Sequence, residues 1–88
     1  MRLDELKWLD HNRYWRLAYV HLPAYTVLVQ VATPANEEIA NHYWIRLLPT
    51  GMEQPLRRAP INWRCQRADA LTAQAVLYEL LGGNADAA

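Results

Sequence analysis

Serine is missing altogether from these 88 residues, which removes the Ser–His–Asp and Ser–Lys forms of nucleophilic catalysis. Glycine is nearly as scarce. With only Gly51, Gly82 and Gly83, neither a P-loop nor a dinucleotide-binding glycine loop can be written. The single cysteine, Cys65, excludes an intramolecular disulfide and fits a reducing compartment. Its neighbours place it on a core-facing strand position, the setting of a packed thiol rather than a reactive one. The histidines His11, His21 and His42 are dispersed, without a pair at helical spacing, so no metal site is expected. No cofactor is expected either. Acid–base chemistry would need His42 beside Glu37 or Glu38 in a closed pocket, and the sequence reads more simply as that of a protein that is not an enzyme.

Long apolar runs are also wanting. The most apolar stretch, Leu17 to Val31, is interrupted by His21, Pro23 and Gln30 and is too short to span a bilayer. The start, Met1 to Leu6, lacks the apolar core of a secretory signal. A cytoplasmic location without membrane contact is the expectation. Lysine is nearly absent: eight of the nine basic residues are arginine, Lys7 being the exception. Codon bias in a GC-rich genome accounts for this as well as selection for planar, bidentate contacts does.

What the chain does have is tryptophan beside arginine. Trp15–Arg16, Trp44 with Arg46, and Trp63–Arg64 each follow an asparagine (Asn12, Asn41, Asn62), and Tyr14 and Tyr43 accompany the first two. Trp, Tyr and Arg are enriched at binding hot spots because they join large apolar area to directed hydrogen bonds. The formal net charge is zero, but between Arg46 and Arg67 five arginines (46, 57, 58, 64, 67) face one acid, Glu53.

The pattern predicts one α+β domain over residues 1–83 with a frayed tail at 84–88: a small antiparallel sheet of three to four strands, a C-terminal helix on one face and a short N-terminal helix. Leu3, Leu6 and Leu9 suggest that first helix, ended by Asn12. Strands are expected at 13–22, 25–32 and 61–66, and a short helix at about 35–41 after the Thr33-Pro34 start signal. Residues 43–48 read as a strand rich in β-formers; a helix running on from Pro34 is the alternative, but it would misplace Ile45. Asp69 caps the last helix, which runs to Gly82-Gly83 and should be buried over a wide face.

Strand parity then assigns two faces. Odd positions, including Trp15, Leu17, Tyr19, Val27, Val29, Ile45, Trp63 and Cys65, form an apolar side for the helix. Even positions form a polar side that bears Tyr14, Arg16, His42, Trp44, Arg46 and Arg64, with Arg57, Arg58 and Arg67 nearby; these nine are the candidate partner-binding residues. Their chemistry suits a protein partner first, in the manner of a small accessory regulator or inhibitor carried by a phage or mobile element. Self-association through an edge strand or the aromatic face is a further expectation. Nucleic acid is second: arginines on phosphates with Tyr14 and Trp44 stacking on bases would be the means, against a neutral overall charge.

Overall fold

The computed structural model describes residues 1–49 and 62–82, with backbone alone for Asn62 and Trp63. Five strands follow one another as an antiparallel meander: β1 (Leu9–Asn12), β2 (Trp15–His21), β3 (Thr26–Ala32), β4 (Tyr43–Leu48) and β5 (Asn62–Ala68). Among the described residues one α-helix, α1 (Ala70–Leu80), follows the strands, and a 3-10 turn at Leu3–Glu5 precedes them. The α+β class stands, but the sheet has five strands instead of three to four. The added strand is β1, where a helix was expected. Leu3 and Leu6 are buried as their spacing suggests, but Leu6 is already extended, and Leu9 joins the sheet edge at 49% exposure.

Residues 43–48 form a strand, with Ile45 fully buried. The helix expected at 35–41 is absent. Residues 34–41 are a run of turns that ends at Asn41, whose φ of 62° is the left-handed conformation asparagine tolerates better than most residues. Asn41 N donates to Ala32 O and Ala32 N donates to His42 O, so two residues of this connection oppose one at the end of β3.

One side of the sheet is closed by two elements. The helix packs against β4 and β5, with Ala73 and Leu77 buried on Ala18, Val27, Val29 and Ile45. The N-terminal segment covers the rest of that side with Leu3 and Leu6, while Met1 and Trp8 pack at its borders. Gln74 ties the two together. Its Oε1 accepts from Leu3 N at 2.7 Å and its Nε2 donates to Met1 O at 3.0 Å, so the side-chain amide replaces a neighbouring strand for this stretch of backbone. Trp8 Nε1 adds a bond to Leu3 O at 2.8 Å.

The helix is less enclosed than its composition suggests. Ala73 and Leu77 are its buried residues, whereas Leu71 is 82% exposed. Its N-cap is Asp69, which accepts from Thr72 N at 2.8 Å. That bond, more than the nearby His42, holds the Asp69 carboxyl below its usual range.

Two predictions follow from this packing. Leu77→Ala should lower unfolding free energy by about 2–5 kcal/mol, and Leu71→Ala by about 0.5 kcal/mol or less, as read by urea denaturation. Because the folded state favours the Asp69 carboxylate, its stabilisation is full above the ordinary carboxylate range and is lost as pH falls through the lowered folded value. Asp69→Asn keeps a capping side chain, so it should leave neutral stability nearly intact while flattening the acid limb of the stability profile, below the ordinary carboxylate range.

Candidate functional site

The turn at Pro23-Ala24 sets which side chains share a face. Leu22 N donates to Tyr25 O across it, and the ladder continues with His21 opposite Thr26 and Trp15 opposite Ala32. A two-residue turn pairs positions of opposite parity, so the odd residues of β2 lie beside the even residues of β3. The expected assignment of Trp15, Leu17 and Tyr19 to the helix side is therefore corrected: Ala18 and Val20 pack there, and the odd residues stand on the other face. That face is not purely polar either. Leu17, Leu28 and Leu48 form a second buried cluster, with Tyr19 packed against it.

Across this face, Leu17, Gln30 and Trp44 make one cross-strand row, and Tyr19, Leu28 and Arg46 make the next. The indoles of Trp15 and Trp44 meet edge to face, with centroids 5.2 Å apart and planes at 74°. Together with Gln30, Ile39 and Arg46 they wall an open cleft of about 410 Å³. Desolvation lowers the pKa of Arg46, although a guanidinium starts so high that the charge persists at neutral pH. Gln30 Oε1 is buried without a hydrogen-bond partner among the described residues.

Ile39 reaches the cleft because its loop is fastened to the β1–β2 turn. Asn12 Oδ1 accepts from Tyr14 N and Trp15 N, an Asx turn that fixes the start of β2. Tyr14 O accepts from Thr33 N at 3.0 Å and from Asn36 Nδ2 at 2.6 Å, and Thr33 Oγ1 donates to Arg13 O at 2.5 Å. The asparagines ahead of the first two Trp–Arg couples thus act on the backbone: Asn12 shapes a turn and Asn41 supplies a left-handed residue.

The seven candidate residues among the described ones are dispersed. Trp44 and Arg46 share the cleft. Tyr14 is 41% exposed on the adjoining turn, with the Arg13 guanidinium 5.0 Å from its ring centre. Arg16 is on the helix side, contrary to expectation, because β2 has the opposite parity: its guanidinium lies 5.6 Å from the Trp8 ring and 3.3 Å from Asp10. Arg64 also leaves the expected face. A register shift in β5 sets Cys65 opposite Ile45 but Trp63 opposite Arg46, and Arg64, the extra residue, bonds Glu79 of α1 at 2.5 Å. Arg67 is exposed near a second shift, at a φ of 37°. Arg57, Arg58 and the Trp63 side chain lie outside the described residues.

His42 contacts the carbonyls of Ile39 and Ala40 through Nδ1, each at 3.2 Å, which places the proton on that nitrogen. Glu37 and Glu38 wall a depression with Ala35, Asn36 and Ile39, whose lining does not include His42. Cys65 is half-buried, and its thiol pKa is raised by desolvation and then by the Asp69 charge. No group of three or more metal-ligating side chains occurs among the described residues, and none of their helices is long and apolar enough to cross a membrane. No protein-family model, curated protein or solved structure matches the chain.

Trp15 and Ile39 are the cleft residues that sequence reasoning missed, while Gln30 has the even parity of the polar face but was not counted a candidate. The signal for Trp15 was present in Pro23-Ala24, a turn pair whose length alone fixes parity. If the two indoles meet as described, a double-mutant cycle of Trp15→Ala and Trp44→Ala should give a coupling of about 0.5–1.5 kcal/mol in unfolding free energy. Additive losses would place the rings apart.

Proposed function

We propose that this protein is non-catalytic and acts by docking the cleft face of its sheet onto another protein, as small regulators and inhibitors do. The observation that carries this reading is the Trp15–Trp44 pair, two half-buried indoles at a cleft that also offers Arg46. Indole and guanidinium groups at the centre of a partly desolvated patch are the usual anchors of protein interfaces. Around them, Tyr14 supplies an exposed aromatic rim.

Nucleic acid is less well served. Arg16 faces the helix side and pairs with Asp10, while Arg64 pairs with Glu79, so two of the guanidiniums a phosphate track would need are engaged elsewhere. Among the described residues, one arginine, Arg46, lines the cleft. The zero net charge adds no long-range attraction to a polyanion.

Affinity capture from the native cell, done with wild type, Trp44→Ala and Arg46→Gln, tests the proposal. A partner recovered by wild type should bind Trp44→Ala about 30-fold more weakly or worse, the effect of losing a hot-spot residue, while circular dichroism shows both variants folded. Equal recovery by all three, or tight binding to mixed-sequence RNA or DNA that collapses with added salt, would overturn it.

A further inference from the structure

The tryptophans of this chain do not use their indole N–H groups alike. Trp8 Nε1 donates to Leu3 O at 2.8 Å, within the fold. The indole nitrogens of Trp15 and Trp44 bond nothing among the described residues, and neither is buried. Both rings are half-buried at the cleft, where they pack edge to face. Each therefore presents an apolar body with an unpaired donor at its tip.

The cleft itself supplies no acceptor for these donors. Among its described lining residues Gln30 has the one side-chain acceptor, and that oxygen is buried. Ile39 O is already taken by His42 N at 3.0 Å. An occupant must bring acceptors of its own. Any N–H it brought would lose water without gaining a partner.

Ordinary peptide segments meet these terms poorly. A strand presents an N–H for every carbonyl, and a helix ties up its carbonyls internally. A run of prolines differs from both. It has no N–H, its carbonyls stay unpaired in the polyproline II conformation, and its rings are apolar. Aromatic-lined grooves are where such segments dock.

From the two unspent donors we infer that the cleft receives a proline-rich segment of the partner in the polyproline II conformation. The inference rests on the docking role of this face and specifies what docks. Carbonyls of the segment accept from Trp15 Nε1 and Trp44 Nε1, while a proline ring rests against Ile39 and the indoles. Recognition of this kind needs no ion pair.

Titration of the isotope-labelled full chain with decaproline, followed by nuclear magnetic resonance, tests this. The Trp15 and Trp44 indole N–H resonances should shift progressively, and that of Trp8 should not. Trp15→Phe and Trp44→Phe keep an aromatic ring and lose the donor, so each should weaken decaproline about three- to tenfold. Both indole resonances unmoved at millimolar decaproline would overturn the inference, whether or not an oligouridine moves them. Unchanged affinity in both phenylalanine variants would overturn it as well. Selection from a randomised twelve-residue peptide library separates this from the docking role. Enriched peptides that lack proline runs yet are lost with Trp44→Ala would overturn the proline-rich segment and leave the docking face standing. Enrichment indifferent to Trp44→Ala would remove the face itself.

Discussion

A two-residue turn at Pro23-Ala24 decides what both sides of this sheet are made of. With Leu22 bonded to Tyr25 and His21 opposite Thr26, every odd residue of β2 joins the even residues of β3. Because side chains alternate, a slip of one residue would exchange Trp15, Leu17 and Tyr19 for Arg16, Ala18 and Val20. The chosen register puts small Ala18 under the helix layer, where it is completely buried beside Val29 and Ile45. It sends the bulky aromatics of β2 to the side that α1 does not cover.

The two faces differ in how they are closed. On the helix side, burial is made by elements distant in sequence: Gln74 of α1 binds the backbone of Met1 and Leu3, and Tyr25 Oη donates to Leu80 O at 3.5 Å. These contacts join the two ends of the chain across one layer. On the other side, the Leu17–Leu28–Leu48 cluster is flanked by the cleft of Trp15 and Trp44. Both edges of the sheet are blunted. β1 is four residues long with a register shift, and β5 has two shifts and projects arginines. Such edges resist adding a further strand.

Much of the fold was legible because local signals agreed with tertiary demands. The β-rich run at 43–48, the alternation at 26–32 and the Asp69 cap all produced the elements they announced. The failures occur where local and long-range signals competed. Leu3, Leu6 and Leu9 have helical spacing, but Leu9 is drawn into the sheet opposite Leu17. Thr33-Pro34 resembles a helix start, yet Thr33 is spent on Arg13 and Tyr14 and the chain turns instead. Arg64 could not have been placed by alternation, since the register shift in β5 breaks the alternation at that residue. Of the candidate site, Trp44 and Arg46 were found from chemistry, and Trp15 was lost to a parity error that the Pro23-Ala24 turn would have corrected.

The most direct measurement of the central claim is a proton NOE spectrum of the folded protein with the tryptophan indoles assigned. The account predicts cross-peaks between the Trp15 and Trp44 rings, and none from Trp15 to the methyl groups of Leu77. Trp15 in contact with Leu77, and no contact with Trp44, would contradict it.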